Sequence, residues 1–81
     1  MIVICDFMLK ILRLRGDELL VYAIIWGFTQ EEERRWTINR NYISDKLGLT
    51  EAAIDAITDS LCEKDLIGFD NPRTVYVKHW E

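Results

Sequence analysis

The stretch "LTEAAIDAITDSLCEKDLIGF", residues 49–69, carries Glu51, Asp55, Asp59 and Glu63, and its only base is Lys64. Carboxylates on one helix face can accept a hydrogen bond from a cytosine amino group, repel a phosphate backbone, or attract a basic protein surface. The net charge of −4 is concentrated here. Residues 50–65 hold five acids and one base, and the rest of the chain has nine of each. The remaining bases include Arg40, Lys46, Arg73 and Lys78, the candidates for gripping phosphates. Other chemistry is sparse. Cys5 and Cys62 form no CxxC pair and are expected as free thiols, buried or half-buried. His79 is the only histidine, which excludes a His-rich metal site. With no nucleophile–base pair, phosphate loop or metal cluster in sight, neither an enzyme nor a cofactor protein is expected.

Those side chains need elements to position them. The chain has 81 residues, 49% of them hydrophobic and 30% charged, which suits one small globular domain over residues 1–81. Its longest nearly apolar run, Leu19–Phe28, is too short to span a bilayer, and Asp6 interrupts any leader-like start. A cytoplasmic protein without membrane contact is the expectation.

In the N-terminal extension, 1–15, Ile2–Cys5 suits an extended edge segment, and Asp6 is placed to cap a short helix, "FMLKILRL". A second helix, 17–29, starts with Asp17 and Glu18 at its positive end and is apolar on most sides. Such a helix is either the centre of a core or part of a dimer interface. "WTI", 36–38, suits a very short strand. Asn39 caps a helix reaching Leu47, and Gly48 terminates it. Thr50 caps the next helix, 50–64, expected to bury Ile54, Ile57 and Leu61. Two strand-like runs then flank Asn71-Pro72, predicting a hairpin within 66–79. Ile43, Leu47 and Leu66 complete the expected core.

The order of these elements, with "YISDKLGLTEAAIDAITDSLCEKDLIGF" and "GDELLVYAIIWGFTQ", resembles the winged helix-turn-helix domains of phage and plasmid replication initiators and related bacterial regulators. The likeness runs from about Ile4 to Val77. It implies a mainly α fold with a small β-hairpin, a three-helix core with a two- or three-stranded wing. It also implies a DNA-binding role in transcription regulation or replication, with helix 50–64 in the major groove. Contacts would then fall to Arg40, Asn41, Lys46, Thr50, Ala52, Arg73 and Lys78.

The sequence departs from that family where contacts are made. Positions 51, 52, 56 and 59 often carry basic or polar readers there; here they are Glu51, Ala52, Ala56 and Asp59. Cations displacing counterions supply much of DNA affinity, so this helix predicts weak binding. The alternative is a protein-docking module that has lost duplex binding. Glu51, Asp55, Asp59, Glu63 and Trp80 would then face a basic partner, or the apolar helix would bury itself in a homodimer.

Overall fold

The computed structural model describes residues 2–30 and 34–78. Among them are four helices and a three-stranded antiparallel sheet. The helices are α1 (Asp6–Lys10), α2 (Gly16–Phe28), α3 (Arg40–Leu47) and α4 (Glu51–Glu63). The strands are β1 (Trp36–Thr37), β2 (Ile67–Asn71) and β3 (Thr74–Val77), in the order β1-β3-β2.

Local chemistry explains most boundaries. The Asn39 side chain accepts from the Tyr42 amide, and the Thr50 hydroxyl accepts from the Ala53 amide, so both caps satisfy an orphan donor. Gly48 closes α3 at φ +70°, a left-handed conformation, and its amide donates to the Ser44 carbonyl. Asp65 takes φ +62° where α4 gives way to β2. At the start of the chain the expectation fails. Cys5 is the N-cap of α1 and makes no side-chain cap bond, Asp6 is already helical, and the helix stops at Lys10. Ile2–Ile4 joins no strand.

Helix α2 lies at the centre. It packs against α1, α3, α4 and β3. Leu19, Val21, Tyr22, Ala23, Ile24 and Ile25 are buried. Being surrounded is why α2 lacks a polar face. Met8 of α1 and Leu14 are fully buried with it, so the N-terminal segment supplies much of the cover that a second copy would otherwise have to provide.

Helix α4 packs on α2 and α3 through Ile54, Thr58 and Leu61. Ile54 and Leu61 have no exposed surface, and burying each contributes about 2 kcal/mol relative to leaving it in water. The expected stripe through Ile57 is thus shifted by one residue. Thr58 takes the buried position because its hydroxyl donates to the Asp55 carbonyl, and Ile57 is only half-buried. Leu47 is also half-buried, since α3 ends there at the surface beside Gly48.

Strand β3 pairs with both neighbours, Val75 opposite Trp36 on one side and Phe69 on the other. An irregularity between Phe69 and Asn71 adds a residue to β2 just before the hairpin tip. The Asn71 side chain then accepts from the Arg73 and Thr74 amides, which fixes the turn. The strands are shorter than the expected 66–79 hairpin, and its end at His79 lies outside the described residues, as does Trp80.

Candidate nucleic-acid interface

The turn between α3 and α4 is tightly held. The Ser44 hydroxyl donates to the Leu49 carbonyl at 2.6 Å, tying the end of one helix to the approach of the next. With Thr58 and Leu61 turned inward, α4 presents Glu51, Ala52, Asp55, Ala56, Asp59 and Glu63 to solvent. Lys64, the only base of this segment, reaches back to Glu18 of α2. The outward face of α4 therefore carries acids and alanines with no cation of its own.

Three elements meet beside that face. Arg40 from the first turn of α3, Asp55, Thr58 and Asp59 from α4, and Phe69 and Pro72 from the hairpin line a cleft of about 190 Å³. The Arg40 Nε donates to Asp55 Oδ1 at 2.7 Å across the cleft wall. Arg73, next to Pro72 at the tip, is exposed. The adjoining sheet edge is also paired: Arg35 bonds Asp70 at 2.6 Å while its guanidinium lies 4.5 Å from the Tyr76 ring centre. The Tyr76 ring in turn covers Gly68, where a Cβ would come within 2.6 Å of it. A larger residue at this position would have to push the Tyr76 ring aside.

The candidate contact residues do not form one patch. Asn41, Thr50 and Ala52 are exposed at the starts of α3 and α4, and Arg40 and Arg73 flank the cleft. Lys46 projects from another side of α3, its ammonium 5.7 Å from the Tyr42 ring, which packs edge-on against Phe28. Lys78 lies at the base of the hairpin rather than its tip. Its amide donates to the Leu66 carbonyl and its ammonium bonds Asp65. That hydrogen bond, more than any opposing desolvation, holds the Lys78 pKa above its usual value. Nearby, burial pushes the Cys62 thiol up, as does Asp59, while Lys78 pulls it down. Cys62 and Cys5 are both free and half-buried.

Sequence reasoning did not single out Thr58, Phe69 or Pro72 as cleft residues, nor the Arg40–Asp55 pair. Arg40 and Asp55 are 15 residues apart on different helices, so their meeting depends on how α3 crosses α4. A second hollow, about 300 Å³, is lined by Val3, Ala23, Ile24, Gly27, Phe28 and Tyr42. It is mostly apolar, and no residue of α4 lines it.

No protein-family model matches this chain, and no curated protein or solved structure matches it. Among the described residues, no group of three metal-binding side chains comes together, and no helix is long and apolar enough to cross a membrane.

Proposed function

We propose that this chain is a winged-helix domain that docks on duplex DNA through α4 and the hairpin tip, with an affinity limited by its own acids. The observation that carries this reading is topological. The element order and the β1-β3-β2 sheet bring the β2–β3 tip alongside the exposed face of α4, with the first turn of α3 closing the third side. A helix face beside a hairpin tip is the arrangement by which winged domains address a groove and the adjacent backbone. In this reading Thr50 and Ala52 lead α4 into the major groove. Asn41 meets the backbone at the start of α3, where Arg40 stands beside it bonded to Asp55, Arg73 meets it from the wing, and Lys46 adds charge from the side. Lys78, bonded to Asp65 at the far end of the hairpin, contributes little.

A second reading, a docking surface for a basic protein, is favoured by one specific feature. The four acids recur every four residues, and like charges at that spacing destabilise a helix by about 0.2–0.5 kcal/mol per pair. A binding role for the face would offset that cost.

One variant separates the two. Replacing Asp55 and Asp59 together by Asn removes two negative charges with almost no change in size. On the DNA reading it strengthens duplex binding, measured by fluorescence titration at two salt concentrations. On the protein reading, the same change slows association with a polycationic probe such as polylysine and leaves duplex binding absent. No duplex binding by parent or variant at low salt defeats the DNA reading.

A further inference from the structure

Among the described residues that line the cleft beside α4, Arg40 is the one cation, and it is already occupied. The Arg40 side chain is 29% exposed and bonds the 54%-exposed Asp55 at 2.7 Å. Asp59 lines the same cleft and is in no salt bridge among the described residues. The two carboxylates thus differ in kind: one engages an arginine, the other only adds charge.

We infer that Asp55 is a built-in competitor for Arg40, so that a phosphate gains this guanidinium only by displacing the carboxylate. The inference rests on the DNA reading and specifies how that site is regulated. Carboxylate and phosphate bind a guanidinium through the same donors and similar geometry, so one substitutes for the other. Adding a phosphate while Asp55 stays would set two anions side by side on one cation. Asp55 has somewhere to go, because more than half of its side chain faces solvent. Leaving is opposed, however. Away from Arg40, Asp55 has only Glu51 and Asp59 at four-residue spacing on its own helix, both negative. The acidic stripe therefore presses Asp55 onto Arg40 and keeps the latch shut. Arg73 and Lys46 carry no such carboxylate partner among the described residues and are ready for use in the free protein.

The test is a salt-dependence cycle on the full chain with a fixed duplex, using the parent, D55N, D59N, R40Q and R40Q/D55N. Log affinity falls with log salt with a slope of about −0.9 per phosphate contact. D55N frees Arg40, so its slope steepens by about 0.9 over the parent and its affinity rises most at low salt. R40Q/D55N returns to the parent slope. D59N tightens binding without steepening the slope. Melting curves verify that each variant is folded. If D55N tightens binding equally in the presence and absence of Arg40, Asp55 only repels and the competitor role is wrong. If D55N weakens binding, Asp55 braces Arg40 instead of sequestering it, which also overturns the inference while the DNA reading stands. If no variant binds at low salt, D59N included, the DNA reading fails and the inference falls with it.

Discussion

At the C-terminal end of α4, charges tie the molecule to itself. Glu18 of α2 accepts from both the Ser60 hydroxyl and Lys64, and Lys78 at the end of β3 bonds Asp65. At the N-terminal end and along the cleft, the same residue types face outward. Glu51 and Asp59 are exposed, Arg73 stands at the hairpin tip, and the single pair, Arg40–Asp55, lies on the candidate docking surface. The clearest difference is between Glu18 and Asp55. The Glu18 side chain is only 20% exposed and ties α2 to the end of α4 through residues 42 and 46 positions away, whereas Asp55 is 54% exposed. Charges at the first end tie elements of the fold together; in the proposed reading, charges at the second set what can approach it.

The largest expected effect breaks the first end. Glu18→Ala removes the shared acceptor and leaves the partly buried Ser60 hydroxyl without it. The loss is about 1–2 kcal/mol, since hydrogen bonds to a charged group exceed neutral ones but Lys64 is half-exposed. For a domain of this size that lowers the melting temperature by roughly 5–15 °C. Duplex binding at a temperature where the variant is folded should not change. The same group sets an acid dependence. Burial pushes the Glu18 carboxyl up, but the hydrogen bonds from Lys64 and Ser60, with the Lys64 charge, outweigh it and hold the pKa below the ordinary 4.5. A depressed carboxylate stabilises the fold above its unfolded value, and that contribution is lost as pH falls through the lowered one. The stability gap between parent and Glu18→Ala should therefore narrow below about pH 4.5, which chemical denaturation at several pH values would reveal.

A smaller effect sharpens the contrast between tip and base of the hairpin. Arg73→Ala should flatten the salt slope of duplex binding by about 1 and leave the melting temperature unchanged. Lys78→Ala should do neither, because its ammonium is committed to Asp65 at the far end. Equal slopes for both variants would mean that the hairpin tip is no more a contact than its base.

Much of this arrangement was legible in the residues, and the legible part is local. Asn39, Gly48 and Thr50 act within three or four positions of themselves, so their types alone located both ends of α3 and the start of α4. The acidic face of α4 could be read from helical spacing. Depth was harder. Whether α2 was a core helix or an interface turned on whether the N-terminal segment folds back over it, and Met8 and Leu14 are buried with it. Thr58 displaced Ile57 from the buried stripe because a hydroxyl with a carbonyl in reach is inexpensive to bury, which a hydrophobic pattern does not register. Pairing was not legible at all. Arg40, Lys64 and Lys78 each look like surface bases in the sequence, and only the helix and strand crossings decide which carboxylate each one meets.

The smallest effect at neutral pH provides a control on α2, away from both ends of that comparison. The Tyr22 hydroxyl is fully buried and has no hydrogen-bond partner among the described residues. Removing a buried polar atom that makes no bond recovers its desolvation cost, while the ring keeps its edge-on contact with Phe7. Tyr22→Phe should therefore be neutral or slightly stabilising at pH 7, and should leave duplex binding and its salt slope untouched. Its signature appears in alkali. Burial, aided by the nearby Cys5, pushes the Tyr22 pKa up from 10.0 to about 12. Between those values the unfolded chain gives up the proton while the folded chain keeps it. Stability from this group is thus complete below pH 10 and is lost as pH rises toward 12. Parent and Tyr22→Phe should unfold with similar midpoints near neutrality and diverge above pH 10, the parent falling faster. Parallel curves through that range would mean that the hydroxyl reaches water in the folded state, and that α2 is less completely enclosed than its neighbours make it.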